Sequence, residues 1–306
     1  MKLRFSNLLL LCLTLIGNFH NCFSQEEINN LESKLLLGKV KSIKAVSYDA
    51  VEKFGELQKG KTTGIIITEF NSQGYLIKET SYDEKNKITY VTKYTYDLKN
   101  NLIEKSTPQI GILLINKYDL ENKCIQTDEL KNDKSLKFRT KNKFSIDGKL
   151  IEANTYNSKG AFYKKSLYKY DEKGNLIDIS WYNKDGTLSF KVLKDYDERG
   201  NIIKEDNLID ILGERGSTMT FTYNNQSKVI ETHFTSNDGM EYNRTTDYDE
   251  FGNIVSENSS SYSPLNQFTI NYSYTYDNIG NWIARTEISK GPFEKLTIIK
   301  REIVYY

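Results

Sequence analysis

An eight-residue pattern recurs through most of the chain and limits the possible folds more than any other feature. It reads Tyr-Asp-x-x-Gly-Asn followed by two apolar residues, and its clearest copies begin at Tyr170, Tyr196, Tyr248 and Tyr276. Divergent copies begin at Phe70, Tyr96, Tyr118, Phe144 and Tyr223, so nine copies follow one another at intervals of 22 to 28 residues. Such a near-constant period indicates a repeat architecture.

Each copy predicts a tight turn between two antiparallel strands. Asp171 suits the first position of a type I turn, and Gly174 suits the next position after the turn, where the backbone is left-handed. The residue equivalent to Gly174 is glycine in six copies and asparagine in two, while Ser227 is the exception. A second, weaker turn lies between copies, so each period contains two strands and the chain is all-β and antiparallel.

The predicted turn also fixes which residues face each other across the hairpin. Tyr170 should lie opposite Leu176, and Lys169 opposite Ile177, with the two pairs on opposite faces of the sheet. The same spacing places Asp195 opposite Ile203. Because every copy sets an aromatic ring against an apolar or cysteine side chain, the tyrosine face is predicted to form the core and the other face to be wetter.

The repeats predict one domain over residues 25–306, with the repeats themselves over 64–290, an N-terminal cap over 25–63 and a C-terminal closing strand over 291–306. We expect an antiparallel hairpin array that coils into a spiral or open shell, with a short amphipathic helix over 25–37. The first strands are predicted over 39–49 and 64–70. In an open array, terminal copies lack one neighbour and should contribute least to stability.

The first 24 residues have the features of a secretory signal peptide. Lys2 and Arg4 precede an apolar run, and small residues lead to a predicted cleavage after Ser24. A membrane anchor and a lipoprotein lipidated at Cys22 are the alternatives. Removing residues 1–24 takes away two of the 42 lysines and arginines and none of the 41 acids, so the mature net charge is 40 − 41 = −1. This balance gives no indication of nucleic-acid binding.

Few residues suggest catalysis. His233 is the only histidine after the leader, so a histidine-based triad or a multi-histidine metal site is difficult to build. We therefore expect no catalytic residue, no metal site and no cofactor. The aspartates that begin the repeats are better explained as turn residues than as a catalytic row. Aromatic residues outside the repeat-start position are expected to be exposed and are the candidate ligand contacts, namely Trp181, Tyr182, Tyr242 and Tyr262.

The segments Tyr94-Thr95-Tyr96-Asp97 and Tyr168-Lys169-Tyr170-Asp171, each followed by the Gly/Asn-Asn-apolar pattern, resemble the YD repeats of RHS-type proteins. The resemblance covers residues 64–290. It implies long hairpins that coil into a spiral or shell, as in polymorphic toxins, insecticidal toxin components and adhesion proteins, where the repeat encloses or presents something else. This chain lacks the Asp-Pro-x-Gly segment of the large members, so it resembles a short stand-alone secreted member.

Together these features predict an exported, non-enzymatic scaffold or binding surface at the cell envelope or outside the cell, with an unknown protein or carbohydrate ligand. The alternative is a hydrolase that acts on cell-wall or glycan polymers. No mature segment is expected to cross a membrane as a helix. An outer-membrane barrel is disfavoured because charged residues such as Lys143, Lys164 and Lys169 interrupt both predicted faces.

Overall fold

The computed structural model describes residues 30–31, 34–209, 215–261, 267–292 and 294–306. The predicted signal peptide over 1–24 therefore lies outside the described residues. So does Tyr262, one of the four candidate ligand contacts.

The described residues form one 20-stranded antiparallel sheet in which each strand pairs with the next and the last pairs with the first. The ladder between β1 and β20 joins the two ends of the array, so the sheet is a closed barrel. The strands are β1 (Val40–Lys53), β2 (Glu56–Phe70), β3 (Leu76–Tyr82), β4 (Ile88–Tyr96), β5 (Leu102–Thr107), β6 (Ile112–Tyr118), β7 (Cys124–Leu130), β8 (Leu136–Phe144), β9 (Leu150–Asn157), β10 (Phe162–Tyr170), β11 (Leu176–Asn183), β12 (Leu188–Tyr196), β13 (Ile202–Ile209), β14 (Arg215–Tyr223), β15 (Val229–Ser236), β16 (Glu241–Tyr248), β17 (Ile254–Ser261), β18 (Phe268–Tyr276), β19 (Trp282–Lys290) and β20 (Lys295–Tyr305).

The prediction of an open spiral or shell is wrong, although the all-β antiparallel class is right. Residues 40–53 form a long strand that pairs on one side with β2 and on the other with β20. An open array would leave two unpaired strand edges, and closure removes both. The predicted loop over 51–63 is mostly strand as well, because β1 and β2 form a long hairpin around Phe54 and Gly55.

The turn prediction is confirmed in all nine repeats. Gly174 has φ +91° and Gly200 has φ +83°, both left-handed. Even the exceptional Ser227 adopts φ +57°. The backbone N–H of Gly174 donates to the carbonyl of Asp171 over 3.1 Å, which closes the type I turn.

The predicted pair Tyr170 and Leu176 is confirmed, but the predicted pair Lys169 and Ile177 is wrong. Lys169 lies opposite Asp178, because Ile177 is the extra residue of a β-bulge. Asp195 likewise lies opposite Lys204. Every repeat has this bulge two residues into its outgoing strand, at Ile77, Ile103, Ile125, Ile151, Ile177, Ile203, Ile230, Val255 and Ile283. Bulges bend strands and increase twist, which favours a curved, closing sheet.

The repeat tyrosines tie each hairpin to the one before it. The hydroxyl of Tyr196 donates to the carbonyl of Leu176 over 2.8 Å, and Leu176 is the residue just before the bulge. The same contact, at 2.6–3.0 Å, is made by Tyr96, Tyr118, Tyr170, Tyr223 and Tyr248. Phe144 has no hydroxyl, and Asn142 donates to the equivalent carbonyl of Cys124 over 2.8 Å instead.

Replacing Tyr196 by phenylalanine should lower the free energy of unfolding by about 0.5–1.5 kcal/mol, because one hydroxyl-to-carbonyl bond is lost. The measurement is urea unfolding followed by circular dichroism. Tyr163→Phe is the control, since the Tyr163 ring is 47% exposed. Equal effects of the two substitutions would show that the inter-repeat bond contributes nothing to stability.

The Asp and Asn of the repeat bond to each other across the turn. The backbone N–H of Asn175 donates to Oδ1 of Asp171 over 2.7 Å, and Nδ2 of Asn175 donates to Oδ2 over 2.9 Å. Asp197 and Asn201 repeat the arrangement at 2.8 Å for both bonds. The hydrogen bond from the asparagine side chain lowers the pKa of both aspartates below 3.8, and backbone N–H groups add to this effect. Partial desolvation of the carboxylates acts in the opposite direction.

These lowered pKa values predict a loss of stability in acid. A carboxylate whose pKa is depressed by folding stabilises the protein above its unfolded pKa, and that contribution disappears as the pH falls through the folded pKa. The double variant Asn175→Ala and Asn201→Ala should therefore be less stable at pH 7 and nearly equal to the parent at pH 2, in melting temperatures taken across that range. Asn258→Ala, on an exposed position, is the control. Parallel pH curves for the double variant and the parent would contradict this.

The helix predicted over 25–37 is wrong for the part that the structure describes. Asn30 forms a β-bridge with Tyr75, and the N–H of Leu36 donates to the carbonyl of Leu31 over 2.9 Å. The N–H of Leu37 donates to Oδ1 of Asn281 over 2.8 Å. Residues 25–29 and 32–33 lie outside the described residues. The backbone is thus held by neighbouring turns of the sheet and cannot follow a helical ladder.

The described part of this N-terminal segment covers the seam where the barrel closes. A cluster of buried apolar side chains lies here, and we call it the seam cluster. Its members are Leu36, Val40, Ile43, Phe70 and Leu76. The C-terminal residues complete the seam with polar bonds: the hydroxyl of Tyr305 donates to Asp277, and that of Tyr306 donates to the carbonyl of Phe70 over 2.7 Å.

Closure can be tested by crosslinking the two end strands. Lys44 lies directly opposite Glu302, with Nζ 3.3 Å from the carboxylate and both side chains exposed. The double variant Lys44→Cys and Glu302→Cys should form an intramolecular disulfide under mild oxidation, detected by mass spectrometry after proteolysis, because directly opposite residues are within bridging distance. Lys44→Cys with Glu231→Cys, on a distant strand, is the control. Failure of the 44–302 link would contradict closure.

Candidate binding sites on the inner face

The two faces of the barrel differ in exposure. Residues directly opposite each other share a face, and following the ladder round the sheet from Ile43 gives one continuous face through Thr92, Thr140, Val192 and Thr246. These five residues are buried, and we call their face the inner face. On the outer face, side chains such as Lys143, Lys169, Asp195 and Asp247 are exposed.

Small hydroxyl side chains occupy the middle of the inner face. Oγ1 of Thr92 lies 2.8 Å from Oγ1 of Thr107, and the same atoms of Thr140 and Thr155 are 2.9 Å apart. The buried inner-face hydroxyls are Ser81, Thr92, Thr107, Thr127, Thr140, Thr155, Ser166, Thr246, Ser259 and Thr297. Threonine suits strands, and paired hydroxyls satisfy one another across the ladder. The inner face is therefore polar along its middle, and the apolar packing lies near the repeat turns.

The inner face also carries partly buried charges, several of them paired with a neighbour. Nζ of Lys194 lies 3.6 Å from Oε2 of Glu205, and NH1 of Arg244 lies 3.5 Å from Oε1 of Glu257. The full set is Glu79, Lys105, Glu129, Lys164, Lys194, Glu205, Arg244, Glu257, Arg285, Glu287 and Arg301. These charges and the hydroxyls make the inner face suited to a polar ligand.

A cavity of about 280 Å³ lies on the inner face near the ends of β8 and β10. The rings of Phe138 and Tyr163 form one wall, with centroids 4.8 Å apart. Glu129 and Lys137 make an ion pair of 2.6 Å beside them. Burial lowers the pKa of the Lys164 ammonium, against the opposing charge of Glu129. We call this group of residues the Phe138–Tyr163 cavity.

A second cavity, of about 380 Å³, lies at the repeat-turn end of the barrel beside the seam. The cavity has apolar lining residues, and Trp282 and Arg301 line it as well. The apolar residues are Leu31, Leu35, Leu36, Leu37 and Phe251. The guanidinium carbon of Arg301 is 3.2 Å from the centroid of the Trp282 ring. We call this the Arg301 cavity.

Arg301 is held in an unusual electrostatic environment. Burial, with the charge of Arg285 adding to it, lowers the pKa of the Arg301 guanidinium to about 10. Its Nε is buried and has no hydrogen-bond partner, and no ion pair joins Arg301 to a described carboxylate. Arg285 has an acidic neighbour, with NH2 3.5 Å from Glu287. Buried charges are normally paired, so Arg301 is an exception.

The structure does not bring the sequence-predicted ligand contacts together. Trp181 is on the inner face and only 9% exposed, contrary to the expected exposure, with its ring 5.2 Å from that of Phe190. Tyr182 follows on the outer face beneath Nζ of Lys165. Tyr242 is on the inner face, stacked on Phe234 at 4.9 Å, several strands from Trp181. Their role in binding stays a prediction.

Sequence reasoning missed Tyr163, Arg285 and Arg301 as site residues. Tyr163 is the extra residue of a β-bulge beside the weaker turn between two repeats, and the eight-residue pattern does not include that bulge. Trp282 was recognisable as an exception, because it is the one aromatic residue at a position that leucine, isoleucine, valine or cysteine holds in the other copies. That exception is the one signal in the sequence that pointed to the Arg301 cavity.

Among the described residues, no helix is long and apolar enough to cross a membrane. No group of three or more histidines, cysteines, aspartates or glutamates in the described ranges is arranged to hold a metal ion.

Comparison with known proteins gives likenesses to solved structures only. No protein-family model matches the chain, and no curated protein matches its sequence. A chain of the Tc holotoxin pore of Photorhabdus luminescens is similar with a TM-score of 0.41 and 13% identity, over 83% of this chain and 18% of that one. A chain of the TcdB2-TccC3-Cdc42 crystal structure gives 0.35 and 11%, over 80% and 19%.

A porin-like protein from Bacteroides uniformis gives a TM-score of 0.36 and 12% identity, over 87% of this chain and 96% of that one. The chain spans about a fifth of the length of the toxin chains that it resembles. At these scores the likenesses carry no functional inference, and membership of the YD-repeat family stays a prediction.

Proposed function

We propose that the protein is an exported, non-enzymatic binding or scaffold module whose inner face holds a glycan-type ligand in the Phe138–Tyr163 cavity. The observation that carries the proposal is the paired rings beside three charged side chains, Glu129, Lys137 and Lys164, at one partly open cavity. Its volume of about 280 Å³ is near the lower end of small-molecule sites, which suits one or two sugar units.

The chemistry of the cavity matches a sugar better than a wholly apolar ligand. Aromatic rings offer flat apolar surfaces to the faces of pyranose rings, and the tyrosine hydroxyl adds a polar contact. The Glu129–Lys137 pair supplies a donor and an acceptor beside the rings, and the hydroxyl oxygens of Thr127, Thr140 and Thr155 add polar surface to the cavity wall. A ligand with many hydroxyl groups can satisfy both kinds of surface at once.

Binding can be tested with the mature chain, residues 25–306, and an immobilised polysaccharide fraction from the cell envelope. Tyr163→Ala should weaken binding at least tenfold, because it removes one of the two rings. This residue is 47% exposed, so the substitution should not unfold the barrel. Tyr182→Ala, which removes an outer-face ring, is the matched comparison. The proposal places the ligand on the inner face, so this substitution should have no effect, and such a result would show that Tyr182 is not a ligand contact.

Equal losses for Tyr163→Ala and Tyr182→Ala, or no binding by the parent chain, would overturn the proposal. Release of soluble reducing ends from the polysaccharide during the assay would instead favour the hydrolase alternative.

The proposed export rests on the sequence of residues 1–24 and is tested separately. N-terminal sequencing of the protein from fractionated cells should recover a chain that begins at Gln25, outside the cytoplasm. Recovery of Met1 from a soluble cytoplasmic pool would contradict export without affecting the binding proposal.

A further inference from the structure

The Arg301 guanidinium lines the Arg301 cavity and has no anionic partner among the described residues. Arg301 lies against the Trp282 ring, and Arg285 lies over the same ring with its guanidinium carbon 5.6 Å from the centroid. Glu287 is the only carboxylate paired with this arginine pair among the described residues. The Arg301 guanidinium itself therefore has no neutralising partner among the described residues, and an anionic ligand would supply one.

The asparagines that line the cavity already use their amide donors. Nδ2 of Asn281 donates to the carbonyl of Leu37 and to the hydroxyl of Tyr305, each over 2.8 Å. Nδ2 of Asn253 lies 3.0 Å from the hydroxyl of Tyr276. Arg301, in contrast, has unused donor capacity toward an anion. One guanidinium matches one planar carboxylate, whereas a dianionic phosphate generally needs more donors.

The rest of the wall is apolar. Leu35 and Leu37 are 64% and 50% exposed, and Phe251 is 47% exposed, which is unusual for neighbouring large apolar side chains. They line the same cavity as Arg301, at the end of the barrel where the repeat turns lie. A ligand that fits this surface carries an apolar chain next to its charged group.

We propose that the Arg301 cavity binds a monocarboxylate with an unbranched apolar chain, of the fatty-acid type. The carboxylate pairs with the Arg301 guanidinium beside Trp282, and the chain lies along Leu31, Leu35, Leu36 and Leu37. The volume of about 380 Å³ is within the range of small-molecule sites. This site is distinct from the Phe138–Tyr163 cavity and shares no lining residue with it.

Isothermal titration of the mature chain with dodecanoate tests the proposal. Arg301→Leu should weaken binding at least tenfold, and Arg301→Lys less, because the ammonium keeps the charge without the planar fork. The neighbouring Lys300→Leu removes an exposed outer-face cation and should leave affinity unchanged. Leu35→Glu, at an exposed position, places a negative charge in the cavity and should also abolish binding.

Two further ligands distinguish the contribution of the charged group to binding from that of the apolar chain. Dodecanol should bind at least tenfold more weakly than dodecanoate, and dodecyl phosphate no more tightly than dodecanoate. The proposal is overturned if dodecanol binds as well as dodecanoate, if dodecyl phosphate binds more tightly, if Arg301→Leu and Leu35→Glu both retain the parent affinity, or if the parent chain binds no dodecanoate. Tyr163→Ala should leave dodecanoate binding intact, so failure of one site is distinguishable from failure of the other.

Discussion

Replacing Leu76 by alanine is expected to lower the free energy of unfolding by about 3–5 kcal/mol, in the upper part of the range for buried leucines. Leu76 is 1% exposed and packs in the seam cluster with Phe70 and Val40. Its neighbours come from both ends of the chain, so they cannot collapse into the space without opening the seam. The cavity should therefore remain, and its cost adds to the lost burial.

Leu176→Ala is the matched control, because Leu176 occupies the same position of a central repeat. Leu176 is only partly buried, so we expect a smaller cost of about 1–2 kcal/mol. Urea unfolding of both variants gives the comparison. An open array predicts the reverse order, since a terminal repeat would lack a neighbour. A larger cost at Leu176 than at Leu76 would contradict the described seam.

Replacing Val40 by aspartate is expected to cost about 3–5 kcal/mol, because it places an unpaired carboxylate where no solvent reaches. Val40 is 0% exposed, lies opposite Tyr305 in the closing ladder and contacts the seam cluster. The melting temperature should fall by several degrees or more, and the barrel should open first between β1 and β20.

Val304→Asp is the control for the second prediction. Val304 belongs to the same seam ladder but is 50% exposed on the outer face, so an aspartate there keeps its hydration. This substitution should lower the free energy of unfolding by no more than about 1 kcal/mol, which is the range of residue preferences for β-strands. Equal destabilisation by the two substitutions, measured by calorimetry, would show that strand preference and not burial governs the effect at Val40.

The local structure was predictable because it depends on neighbouring residues. Asp171 and Gly174 fix the turn, and the turn fixes the pairing of Tyr170 with Leu176, as the structure confirms. The hydrogen bond from the next repeat's tyrosine hydroxyl explains the preference for Tyr over Phe, although no sequence pattern indicated the acceptor of that bond. The bulge at Ile177 was not predictable, because an isoleucine after leucine has no distinctive turn chemistry.

The sequence by itself determined the hairpin, its turns and the antiparallel class, since each is set within about ten residues. Closure, the polar inner face and both cavities were decided only by the tertiary structure. A bulge in every repeat favours a curved sheet, and β1 meets β20 only when the whole sheet is assembled. Arg301 and Leu35 are far apart in the chain and line one cavity only because that seam closes. Long-range contacts of this kind leave no local pattern from which they could be read.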